Sequence, residues 1–171
     1  MNKLIEILNC DDHYGIGKKN GLLFSQPKDM AFFRQTTLGH TVALGENTLL
    51  SFSGSKPLPK RKHIVLSQDK THNYEGVINV HCMEDFLATI KDELELDDVY
   101  VIGGASIYHQ LLPYCDKVLL TKIKDNGNAE VFFENLDESP LFSLVEASEE
   151  IEDNGRMIQF CTYINLQKKP L

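Results

Sequence analysis

Two groups of residues in this chain could do chemistry. Pro27 suits the first position of a helix and puts Asp29 in its first turn, one turn before Phe33, with Met30 alongside. Residues four apart share a helix face, so the acid and the aromatic ring point the same way. A carboxyl among apolar side chains loses hydration, holds its proton more tightly and becomes suited to proton work. An acid in a first turn equally complements the helix dipole, and the residues alone leave both readings open. The second group is Val99–Tyr108, VYVIGGASIY. An apolar run fit for a strand buried on both faces ends in Gly103-Gly104, and Ile107, Tyr108, Leu111 and Leu112 continue it at helical spacing. Glycines at such a join let the backbone bend and approach a ligand, and strand–glycine turn–helix is how α/β folds build phosphate or dinucleotide sites. The motif is incomplete, because G-x-G-x-x-G is absent and Gly-Gly also makes plain turns. Arg61 is a third candidate, fixed between Pro57-Leu58-Pro59 and a strand. A guanidinium held there can grip a carboxylate through two hydrogen bonds, although a solvated basic patch is the ordinary alternative.

The elements that must position these residues read as follows. Lys3–Asn9 is a first strand, with Glu6 inside an apolar run. Cys10–Gly21 is a glycine-bearing loop, long enough to be a lid. The Pro27 helix runs to about Thr37. Thr41–Leu44 is a strand, Glu46–Phe52 a short helix, and His63–Ser67 and Val77–Val80 are strands. Met83 to about Glu95 is a helix, and Lys117–Ile123 a strand. Strand-like runs at Leu141–Ala147 and Met157–Ile164 then flank Glu149–Gly155, and Asp153-Asn154-Gly155 in that segment is a strong hairpin turn. Strand and helix alternate and end in a hairpin. The fold class is α/β: one domain over 1–171, a central mostly parallel sheet with helices on both faces and an antiparallel C-terminal hairpin at the edge.

A length of 171 residues suits one domain. The net charge of −8 argues against a nucleic-acid backbone as partner, and no apolar run reaches membrane-span length. Met1-Asn2-Lys3 leads into an apolar run broken by Glu6, which does not suit a signal peptide. Cys10, Cys82, Cys115 and Cys161 are widely spaced, with no C-x-x-C pair, and read as reduced thiols of a cytoplasmic protein. No metal site is expected.

In this order, the segments GIGKKNGLLFSQPKDMAFFRQTTLG, Leu44–Thr48, KPLPKRKHIVLS, VYVIGGASIYHQLLPYCD and LTKI, with the C-terminal hairpin, resemble the dihydrofolate reductases over nearly the whole chain. The resemblance implies hydride transfer from NADPH to 7,8-dihydrofolate, giving tetrahydrofolate. It makes Asp29 the acid that binds the pterin edge and promotes protonation of N5, with Thr121 bonded to it and Tyr108 near the nicotinamide. Ile7, Phe24, Met30, Phe33 and Ile102 would line the substrate site, and Arg61 would clamp the α-carboxylate of the glutamate tail. Gly103 and Gly104 would be cis-linked beside the cofactor, with Ala105, Ser106 and Ile107 at its pyrophosphate. Gly45, Glu46, Asn47, Thr48 and Ser67 would also meet the cofactor, and Asp11–Leu23, with Gly15 and Ile16, would be a lid over the nicotinamide. Antifolate inhibitors would bind, and the chain would be a monomer, as most of that family are.

The chain departs from the pattern at four places. Phe24 replaces the usual tryptophan. Glu6 and Ile7 stand where small residues are usual, and Glu6 would place a charge near the cofactor's side of the sheet unless it points to solvent. Glu46 stands where Arg or Lys pairs with the 2′-phosphate of NADPH. A carboxylate repels that phosphate and can instead accept from a free ribose hydroxyl, so NADH becomes a candidate cofactor unless Lys60, Lys62 or Lys70 compensates. Two alternatives carry less weight: a non-catalytic folate- or nucleotide-binding homologue, and a related pyrimidine reductase of the same fold, which would have no use for Asp29 or Arg61.

Overall fold

The computed structural model describes residues 1–18 and 21–171. Six strands form its parallel part: β1 (Leu4–Cys10), β3 (Thr41–Gly45), β4 (Lys62–Leu66), β5 (Ile78–Val80), β6 (Val99–Val101) and β7 (Lys117–Ile123). They join β9 (Phe142–Ala147), β10 (Ile151–Asp153) and β11 (Arg156–Asn165) in one nine-stranded sheet. Its order is β10-β11-β7-β1-β6-β3-β4-β5, with β9 also on β11. Only the pairings made by β11 are antiparallel. The helices α1 (Pro27–Thr37) and α2 (Glu46–Ser51) cover one face, through Phe32, Phe33 and Leu49 packed on Ile5, Ile7, Val42, Leu44 and Ile102. The helices α3 (Met83–Glu93) and α4 (Ala105–Leu111) cover the other, where Phe86, Ile90, Ile107 and Leu111 meet Leu4, Ile64, Val101 and Val118. The sheet is therefore buried on both sides, as parallel sheets require. No described helix is long and apolar enough to cross a membrane, and all four cysteines are unpaired.

The structure corrects the sequence reading in three places. The segment read as an open loop contains a strand, β2 (Gly15–Gly17), paired with β8 (Val131–Phe132) in a small second sheet. These strands are too short and glycine-bearing to show a period. Lys19 and Asn20, inside the expected lid, lie outside the described residues. The second correction concerns the hairpin: Asp153-Asn154-Gly155 joins β10 to β11, while β9 lies further along β11. Asn154 and Gly155 both have positive φ there, as a two-residue hairpin turn requires.

The third correction is Glu6, which does not point to solvent but into the core. It lies in register with Val101 and Val118. Parallel partners share a face, so it points with them into the core under α3 and α4. Glu6 is fully buried, and neither carboxyl oxygen has a hydrogen-bond partner among the described residues. Burial, then the charge of Glu134, pushes its pKa well above the usual carboxylate range, so it sits in the core as a neutral acid.

The sign of the stability effect follows. Near and below the unfolded-state pKa, about 4.3, Glu6 is neutral in both states. As pH rises above that, the unfolded chain releases its proton first, and the fold loses stability until the folded pKa is passed. Glu6→Leu, which replaces an unpartnered polar group by an apolar one, should stabilise the fold by about 1–3 kcal/mol. Urea unfolding should show a larger gain at pH 8 than at pH 5; equal gains at both would mean that Glu6 is not a buried neutral acid.

Candidate active site

The helix that carries Asp29 is not capped by its own sequence. Gln26 stands at the N-cap without a side-chain cap bond. The cap comes from the C-terminal hairpin, where Asp153 Oδ2 accepts from the Lys28 N–H at 3.0 Å and the Asp153 carbonyl accepts from Gln26 Nε2 at 2.6 Å. A carboxylate there satisfies an unpaired N–H and complements the helix dipole. The hairpin thus fixes the start of α1, and with it the position of Asp29.

Asp29 is 9% exposed. Asn9 Nδ2, on β1, donates to its Oδ2 at 2.7 Å, and the Thr121 hydroxyl, on β7, bonds to the same carboxyl. Burial raises the pKa of Asp29, the two donors partly oppose this, and the like charge of Asp153 adds to the rise. The group is thus desolvated and held from below by the sheet, as proton work would require. Ile7, Ile102 and Phe33 join one apolar cluster between α1 and the sheet. Met30 does not: it is 61% exposed. Phe24 is half-buried and lies under the Arg156 guanidinium, 4.3 Å from ring centroid to Cζ.

Arg61 is held as a rigid donor. Its Nε donates to Thr37 Oγ1 at 2.8 Å and Nη1 to the Pro59 carbonyl at 3.0 Å. Arg34 of α1 faces it closely enough for the two charges to repel. Sequence reasoning missed Arg34. Its signal was a basic residue in the last turn of the helix that bears Asp29.

The glycine turn lies next to this pocket. The Gly103-Gly104 peptide is cis and Gly103 has φ 127°, a backbone region that favours glycine. The Gly45 N–H donates to the Gly103 carbonyl at 2.9 Å, so the C-terminal ends of β3 and β6 meet and α2 and α4 start side by side. A Cβ on Gly45 would come within 3.2 Å of Ile107, and one on Gly103 within 3.3 Å of Thr48 Oγ1. The Tyr108 hydroxyl donates to the Ile7 carbonyl at 2.8 Å. Burial above all holds its pKa far above the ordinary range, so it remains a neutral donor. Ser106 and Asn47 are exposed at the starts of α4 and α2.

The lid segment is tied down at its base. Asp11 Oδ1 accepts from the His13 and Gly15 N–H groups at 2.8 Å, and Oδ2 from Gly127 N–H at 3.0 Å. Burial would raise the Asp11 pKa, but these three donors outweigh it and lower it. A Cβ at Gly15 would collide with that of Ala129, so this close approach requires glycine. Ile16 packs on the core from the same segment.

Glu46 sits in a cluster of donors. Its Oε2 accepts from His72 Nδ1 at 2.7 Å, from Ser67 Oγ at 3.1 Å and from the Tyr74 hydroxyl. Tyr74 foremost holds the Glu46 pKa below its usual value, so the group is an anion. His72 Nε2 also lies 3.3 Å from Asp69 Oδ2. Of the lysines that could offset this charge, Lys62 is paired with Glu93. His72 and Tyr74 carried no sequence signal, because they reach Glu46 only by the path of the β4–β5 connection. Among the described residues no group of three His, Cys, Asp or Glu side chains is placed to hold a metal ion.

Comparison with known proteins gives this fold a family. The family model described as dihydrofolate reductase matches residues 3–167. The chain belongs to the dihydrofolate reductase family. Among curated relatives, the dihydrofolate reductase of Bacillus subtilis is 34% identical over 133 residues, 78% of this chain and 76% of its own length. That of Haemophilus influenzae is 38% identical over 121 residues, 71% of this chain and 72% of its own. A solved structure of dihydrofolate reductase from Enterococcus faecalis, complexed with NADP(H) and RAB-propyl, superposes with a TM-score of 0.83 at 30% identity, covering 95% of this chain and 96% of that one. The dihydrofolate reductase fold expected from the sequence is therefore the fold observed.

Proposed function

We propose that this chain reduces 7,8-dihydrofolate to 5,6,7,8-tetrahydrofolate with hydride from a nicotinamide cofactor, as a single-domain cytoplasmic monomer that engages neither nucleic acid nor membrane. The observation that carries this reading is the Asp29 carboxyl, 9% exposed on α1 and bonded by Asn9 and Thr121 of the sheet. A carboxylate there binds the pterin's amino-pyrimidine edge through paired hydrogen bonds and promotes protonation at N5. Ile7, Ile102 and Phe33 orient the ring and exclude water, with Met30 and Phe24 at the margin. Arg61 offers its fork to the α-carboxylate of the glutamate tail. Diaminopyrimidine-type antifolates would occupy the same acid.

The tight Gly45–Gly103–Thr48 junction fits a cofactor backbone. Gly103, Gly104, Ala105, Ser106 and Ile107, with Gly45, Asn47 and Thr48, would hold it, and Gly15 and Ile16 would close over it. When bound, the nicotinamide supplies the hydride. NADPH is the family's donor, and the Enterococcus relative was solved with NADP(H). In this chain the Glu46 anion, bonded by Ser67, His72 and Tyr74, opposes a 2′-phosphate and suits a free 2′-hydroxyl, so NADH should serve as well.

Initial rates with dihydrofolate, using NADPH and NADH in parallel and followed at the nicotinamide absorbance, test this. Turnover with either supports the reaction. Tight antifolate binding with no turnover from either would replace it by the non-catalytic reading.

A further inference from the structure

We propose that Asn9 is a positioning residue for this reaction, fixing the orientation and charge of the Asp29 carboxyl; the proposal rests on Asp29 being the acid of the proposed function. Asn9 lies on β1 in register with Thr121 on β7. Side chains paired across parallel strands leave the sheet on the same face, and both of these rise toward α1 and meet Asp29. The half-buried Asn9 donates through Nδ2 to Asp29 Oδ2 at 2.7 Å.

The direction of that bond carries the argument. An amide nitrogen only donates, so the oxygen it meets accepts, and it accepts best as an anion. With Oδ2 so engaged, Oδ1 is the favoured seat for a proton, and the bond orients the carboxyl against the sheet. A hydrogen bond to a charged group is stronger than one between neutral groups, so Asn9 favours the carboxylate over the acid.

The other groups facing Asp29 are few. Asp153 of β10 raises its pKa by like charge, and Thr121 of β7 lowers it. The buried Tyr108 hydroxyl of α4 is engaged with the Ile7 carbonyl. Glu6 of β1 and Lys122 of β7 leave the opposite face of the sheet, with Val101 and Cys10 in register beside them. Asn9 and Thr121 are therefore what opposes the burial of Asp29.

The test is a ¹³C titration of the aspartate carboxyls in the ligand-free protein, with the Asp29 signal identified by its loss in Asp29→Asn. In Asn9→Ala and in Asn9→Leu, which restores the bulk without the donor, the Asp29 midpoint should rise by about one to two pH units. The acid limb of the kcat/KM profile for dihydrofolate should move with it. An Asp29 midpoint that stays at the wild-type pH in both folded variants would overturn the proposal, whatever happens to turnover. The titration needs no turnover. A wild-type protein that fails to reduce dihydrofolate yet shows the shift would sink the proposed reaction and leave the Asn9–Asp29 coupling standing.

Discussion

Asp29→Asn should lower kcat/KM for dihydrofolate at pH 7 by about 10²–10⁴-fold, the range typical of a positioned acid or base. The replacement is nearly isosteric, so the apolar contacts of α1 with Ile5 and Ile7 remain. The cap on α1 is supplied by Asp153 rather than by Asp29, and the helix start should persist. What is lost is an anion that accepts from Asn9 and Thr121 and from the pterin edge together. An amide presents one acceptor and one donor, so it must turn a donor toward either Asn9 or the substrate. The loss should shrink as pH falls, because solvent then supplies the proton that Asp29 no longer promotes. Rates from pH 5 to pH 8 check this. A variant as active as wild type at pH 7, or a loss that is the same at every pH, would remove Asp29 from the proton step.

The second large effect is expected at the cofactor. Glu46→Arg should raise the NADPH-to-NADH ratio of kcat/KM by about 10–100-fold, the equivalent of one hydrogen bond to a charged group gained or lost. Three elements combine in this result. The anion at Glu46 is removed, a guanidinium suited to phosphate is introduced, and His72, Tyr74 and Ser67 lose the acceptor that they now share. Most of the change should appear in KM for the cofactor, with kcat for dihydrofolate nearly constant, because the 2′ position is remote from the reacting carbon. Parallel titrations of the two cofactors check it. A wild-type protein that strongly prefers NADPH, with a ratio unmoved by Glu46→Arg, would show that Glu46 does not face the 2′ position.

The amino-acid sequence by itself determined the elements with strong local grammar. Pro27 and the helical spacing of Phe33 from Asp29 placed the acid on α1. Val99–Tyr108 placed a glycine turn between a strand and a helix, and Asp153-Asn154-Gly155 marked the hairpin. The alternation of strand and helix fixed the α/β class, and the ordered segments identified the family. The acid, the glycine turn and the hairpin each rest on residues within a dozen positions of one another, where φ/ψ preference and periodicity act; the class and the family rest on the order of such pieces along the chain.

The tertiary structure decided what depends on register and on which face a strand turns outward. β1 is covered on both sides, so its apolar run has no alternation to tell one face from the other. Glu6 could not be placed until pairing with Val101 and Val118 turned it into the core. The same pairing set Asn9 beside Thr121 and aimed both at Asp29, a convergence of three elements that no local pattern encodes. The α1 cap from Asp153 and the Glu46 cluster with His72 and Tyr74 are of the same kind. Their partners are brought together by chain topology, and hydrogen bonds of this sort leave no periodic trace in the residues that make them.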